Sequence, residues 1–140
     1  ADFSYLYIDQ ECSVLDPGLT VFEQTERFNA SHLAEHELKS ILNRCLFPYE
    51  TWDKPCFCLS GGEKIRLLFC CLMIGNNAPD VFILDEPTNN LDIQSVEIIT
   101  AAIKSYRGTV LLISHDHYFV KEIKINRSIK LFDTGSVIKI

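Results

Sequence analysis

The run Leu59-Ser60-Gly61-Gly62-Glu63, followed about twenty residues later by Val81-Phe82-Ile83-Leu84-Asp85-Glu86-Pro87, constrains this chain more than any other feature. A glycine pair at the mouth of a helix allows close backbone approach to free N–H groups, a geometry suited to phosphate. A short apolar strand ending in two neighbouring carboxylates suits a divalent cation and a general base. Strands and helices that alternate in this order build an α/β layer, in which ligands bind beyond the C-terminal ends of the strands. The phosphate loop Gly-x-x-x-x-Gly-Lys-Ser/Thr does not occur in the 140 residues.

Composition narrows the classes. An apolar fraction of 47% supports a packed core. A net charge of -6 argues against the chain as a whole being a nucleic-acid-binding surface. There is no uninterrupted apolar stretch of membrane-spanning length and no signal-peptide pattern at the start, so a cytoplasmic protein without membrane insertion is expected. Cys12, Cys45, Cys56, Cys58, Cys70 and Cys71 form no paired C-x-x-C framework and read as reduced thiols of a core.

Along the chain, Phe3 to Ile8 reads as a strand, and Asp16-Pro17-Gly18 as a turn. From Thr20 to about Phe47, Val21, Phe22, Phe28, Leu33, Leu38, Ile41 and Leu42 recur at helical spacing until Pro48 and Pro55 break the pattern. Ser60-x-x-Glu63 is a capping box, and Ile65, Leu68, Phe69 and Leu72 form one apolar stripe up to Gly75-Asn76-Asn77. Val81 to Leu84 predicts a strand covered on both faces, and Thr109 to Ile113 a second buried strand. Asp92 is placed to cap a helix from Ile93 to about Tyr106. A short helix follows Ser114-His115-Asp116. Ile129–Phe132 and Ser136–Ile140 read as a hairpin across Asp133-Thr134-Gly135.

Neighbouring residues of a strand point to opposite sides, so Asp85 and Glu86 divide the work: Asp85 towards Mg²⁺ and Glu86 towards an attacking water. Ser60, Gly61 and Gly62 serve equally as a helix cap and as a phosphate grip. His32-Leu33-Ala34-Glu35-His36 matches the inverted zinc-peptidase pattern H-x-x-E-H. Five residues are easily matched by chance and no third ligand is specified, so a solvated helix face is the expectation there.

Leu59-Ser60-Gly61-Gly62-Glu63-Lys64-Ile65-Arg66-Leu67, Asp85-Glu86-Pro87-Thr88-Asn89-Asn90-Leu91-Asp92 and Ser114-His115-Asp116-His117-Tyr118-Phe119 together resemble the signature, Walker B with D-loop, and switch-histidine motifs of ABC-type ATPases. Glu63, where transporters usually carry Gln, makes the likeness closest to the F subfamily, soluble proteins with tandem ATPase domains. One departure is Asn90, where that subfamily usually has His. The resemblance implies the C-terminal part of a P-loop NTPase-like α/β domain, with residues 11–60 as a helical subdomain including the Q-loop region. Residues 61–140 would carry the signature, Walker B, D-loop, switch His and hairpin. It implies ATP and Mg²⁺ as ligands, with Glu86 and His115 catalytic, and Gln10 and Asp85 at the metal. Gln10, Ser60, Gly61, Gly62, Glu63 and Asp92 would contact the nucleotide. The partner would be a second ATPase domain, in the same chain or in a dimer, with the ribosome as the target. The alternative is the ATPase subunit of a membrane transporter. The terminal hairpin suggests the second ATPase domain of such a protein. The fragment alone is expected to be inactive and to self-associate.

Overall fold

The computed structural model describes residues 2–9, 11–75, 78–131 and 137–139. Three parallel strands form the central sheet: β1 (Tyr5–Ile8), β2 (Val81–Asp85) and β3 (Thr109–Ile113), in the order β1-β2-β3. The helices between them are α1 (Val21–Arg27), α2 (Glu35–Arg44), α3 (Gly61–Gly75) and α4 (Ile93–Ser105), followed by α5 (His117–Ile123). Strands β4 (Ile129–Leu131) and β5 (Val137–Lys139) pair antiparallel, as the hairpin reading expects. The turn joining them, like Asn76 and Asn77, lies outside the described residues.

The long helical pattern from Thr20 onward is two helices. Thr20 and Glu23 cap α1 reciprocally, Thr20 Oγ1 accepting the Glu23 N–H and Glu23 accepting the Thr20 N–H. Between α1 and α2 the Asn29 side chain accepts the Leu33 N–H and donates to the Leu33 carbonyl, both at 2.9 Å. That local bonding competes with a continuous helical ladder and bends the chain instead. His32 lies in this bend with φ 53°, ahead of α2. His32 and His36 therefore do not share a helix face, and no group of three or more metal-ligating side chains forms among the described residues.

Helix α3 is the centre of the core. Every residue from Ile65 to Cys71 is buried, so the single apolar stripe is in fact a wrap-round contact. α1, α2 and α4 all pack against α3. Burial pushes the Cys12 thiol up to about 12 and that of Cys56 up to about 11, which fits inert core thiols. All six cysteines are free, and Cys58 alone of them is exposed.

The sheet departs from the two-sided burial expected of it. Leu6, Ile8, Phe82, Leu84, Val110 and Leu112 lie on the face that packs into the core. The alternate residues face out: Tyr7 is 45% exposed, Leu111 51% and Ile113 50%. A continuous apolar strand promises apolar surroundings on both faces, yet only one face is covered by the described residues. The register Tyr7↔Ile83↔Leu111 puts Tyr7 and Leu111 in one row, with Ile113 beside Asp85 in the next outward row.

Candidate functional site

Because the three strands are parallel, their C-terminal ends open on one edge of the layer. Asp85 ends β2, and the chain turns at Glu86 in the left-handed region, with φ 48°. Such a backbone is uncommon outside glycine and draws attention to function. Two backbone bonds hold the turn. The Glu86 N–H donates to the Ile113 carbonyl at 2.8 Å, and the Glu86 carbonyl accepts the Asn89 N–H at 3.1 Å. The neighbouring strand β3 ends on Ile113, which delivers Ser114 and His115 to the same place. His115 Nδ1 lies 2.7 Å from Glu86 Oε1. The hydrogen bond it donates to Glu86, with the charge of that carboxylate, holds the His115 imidazolium above its ordinary value of 6.5. Asp116 caps α5 by accepting the N–H groups of Tyr118 and Phe119, and Thr88 Oγ1 donates to it at 3.3 Å. The loops after β2 and β3 are thus tied together.

Asp85 is held from the other side. The Tyr7 hydroxyl donates to Asp85 Oδ2 at 3.0 Å. The motif reading passed over Tyr7. Strand alternation could have placed it on the face of Asp85, but the pairing of β1 with β2 is a long-range contact that no local pattern reports.

At Ser60 the capping box forms as expected. Ser60 Oγ accepts the Glu63 N–H at 3.2 Å, and Glu63 Oε2 accepts the Ser60 N–H at 2.8 Å. Lys54 Nζ stands 3.3 Å from the same carboxylate oxygen. Glu63 is therefore committed to its own helix and to Lys54. Gly62 sits hard against the loop after β2: a Cβ there would lie 2.9 Å from Leu91 Cδ2. Asp92 accepts the Ser95 N–H at 2.7 Å and so starts α4, a bond that lowers its pKa.

An open cleft of about 420 Å³ gathers Ser60, Gly61, Gly62, Asp85, Glu86, Asn90 and Asp92, among others. Of the residues singled out in the sequence, these lie on the cleft wall. His115 joins it through Glu86, and Glu63 turns away. Gln10 lies outside the described residues. Asp9, next to it in the chain, is on the wall and accepts the Ser13 hydroxyl at 2.7 Å. The donor set fits Mg²⁺: hard carboxylate oxygens, too few to cage an ion alone, of the kind that hold it together with phosphates.

Comparison with known proteins agrees in region and in fold. The family described as ABC transporter matches residues 4–89. ABC transporter F family member 5 of Arabidopsis thaliana is 43% identical over 128 residues, which are 91% of this chain and 18% of that protein. The dimeric ATP-binding cassette MJ0796, bound to ADP and Pi, is similar with a TM-score of 0.63 at 21% identity, over 86% of this chain and 56% of that one. The archaeal ribosome recycling factor aABCE1, solved with the ribosomal stalk protein aP1, is similar with a TM-score of 0.68 at 23% identity. That match spans 92% of this chain and 25% of that one.

Proposed function

The chain belongs to the ABC transporter family and resembles its F-type members; from that premise we propose that it is the Walker B and signature portion of an ATPase domain acting in translation. The observation that carries the reading is the Glu86–His115 pair beside Asp85, at the ends of adjacent parallel strands. Glu86 accepts the proton of the water that attacks the γ-phosphorus of ATP. His115 donates a hydrogen bond to a γ-phosphate oxygen and keeps the Glu86 carboxylate oriented. Asp85 holds Mg²⁺, which when bound neutralises triphosphate charge. Gln10 would contact the same metal and water, as the family resemblance implies. Ser60, Gly61 and Gly62 present backbone N–H groups to the γ-phosphate held by a second ATPase domain, and Asp92 fixes the loop that lines the same cleft. Residues 11–60 form the helical subdomain of this ATPase, and residues 61–140 its catalytic and terminal portion.

Support for a two-domain sandwich comes from the dimeric form of the similar MJ0796 cassette. The ribosome recycling factor with the same fold, solved with a stalk protein, supports a ribosomal target. Among the described residues no helix is long and apolar enough to cross a membrane. A cytoplasmic location accords with that and with the F-type likeness. The 140 residues lack the phosphate loop that supplies the lysine and the backbone cradle, so by themselves they hydrolyse no ATP.

The test is ATP turnover and ribosome co-sedimentation of the full-length protein carrying Glu86→Gln and its counterpart in the other ATPase domain. Turnover should fall roughly 100-fold or more, the range for loss of a general base. The variant should pellet with ribosomes in ATP and not in ADP. Intact turnover would remove Glu86 from the mechanism. ATP binding without pelleting would move the assignment to the ATPase subunit of a membrane transporter.

A further inference from the structure

We propose that Tyr7 is a positioning residue for Asp85, fixing the carboxylate that takes the substrate's divalent cation. The inference rests on the reading of Asp85 given above and names a residue that acts through it. Tyr7 pairs in register with Ile83, so Asp85 lies two residues further along the neighbouring strand and on the same face. Two residues of strand are about 6.6 Å. A phenol hydroxyl bridges that gap at 3.0 Å, where a serine or threonine hydroxyl at the same position would fall short.

The chemistry of the donor matters. A lysine there would neutralise Asp85 and compete with a cation. A phenol is uncharged, so it orients the carboxylate without placing a rival positive charge beside it. It occupies Oδ2 and leaves Oδ1, which has no hydrogen-bond partner among the described residues. Outer partners that orient a metal-binding carboxylate are worth roughly 10- to 100-fold in metal affinity. Tyr7 also belongs to the strand that runs into Asp9, a residue of the cleft wall. Its bond therefore ties β1 to the carboxylate at the end of β2, across the sheet rather than along the chain.

The experiment uses the full-length protein and Mn²⁺, whose free concentration is read by electron paramagnetic resonance, at a fixed level of a non-hydrolysable ATP analogue. Tyr7→Phe keeps the ring and removes only the hydroxyl. It should raise the Mn²⁺ concentration for half-saturation roughly tenfold, with metal-free nucleotide affinity unchanged. In turnover, the Mg²⁺ requirement should rise while kcat at saturating Mg²⁺ stays near the parent value. Asp85→Asn should weaken Mn²⁺ binding further, and adding Tyr7→Phe to it should change nothing, since the hydroxyl acts only through Asp85. Parental Mn²⁺ affinity in Tyr7→Phe, with Asp85→Asn impaired, overturns the role of Tyr7 alone. Additive loss in the double variant does the same. Parental affinity in Asp85→Asn overturns the reading of Asp85 and the proposal with it.

Discussion

The pairing of His115 with Glu86 shows how much of the candidate site sits in single side chains. The imidazole is largely open to water, its side chain 81% exposed, while that of Glu86 is 22% exposed. Screening by solvent makes such a pair a weak source of stability, so its 2.7 Å contact is better understood as orientation. The raised pKa of His115 has a definite sign. Its contribution to stability is full below the ordinary value of 6.5 and is lost as pH rises through the raised folded value. Replacing Glu86 with Gln removes the largest cause of the shift. Histidine-selective NMR titration of the full-length protein should then find the His115 midpoint moved down towards the ordinary value. An unmoved midpoint would mean that the two side chains do not meet in solution. Asn90 is also readable at this scale. It adopts φ 58°, and Asn tolerates left-handed backbone better than most residues, which gives it a local reason to stand in this turn.

Helices and strands were legible where their signals are local. The caps at Ser60 and Asp92 lie within a few residues of the N–H groups they satisfy, so the sequence announces those helix starts. The break between α1 and α2 was hidden because Asn29 and Leu33 bond across a bend inside an otherwise helical pattern. The contact of Gly62 with Leu91 was hidden for a different reason: it joins the start of α3 to the loop before α4. Gly62→Ala should destabilise the full-length protein by at most about 1 kcal/mol, the low end of overpacking costs, because the Leu91 methyl it meets is the end of a flexible side chain. Leu91→Ala should recover part of that loss by opening the space, a comparison that urea unfolding can make. Equal destabilisation with and without Leu91 would show that the clash is relieved elsewhere. In β2, Leu84 is fully buried, and Leu84→Ala should cost about 2–5 kcal/mol in the same assay.

At the scale of the molecule, the motifs specified the α/β layer and the edge on which its functional side chains meet, whereas the coverage of the sheet was not legible. An apolar strand does not state what will lie on each of its faces. Tyr7, Leu111 and Ile113 make an outward apolar patch on a chain that spans 18% of its Arabidopsis relative. Such a patch favours association when the 140 residues are produced alone. Sedimentation velocity should find concentration-dependent oligomers, and Leu111→Lys with Ile113→Lys should shift them towards monomer. A strictly monomeric parent would refute this. The packing of Gly62 on Leu91 has a mechanical consequence at this scale. A bare backbone at Gly62 lets the Leu91 side chain seat directly on the mouth of α3, and any side chain at that position would have to push Leu91 aside. The glycine thus acts as a socket: it sets how near the Ser60 end of α3 can stand to the loop that leads into Asp92.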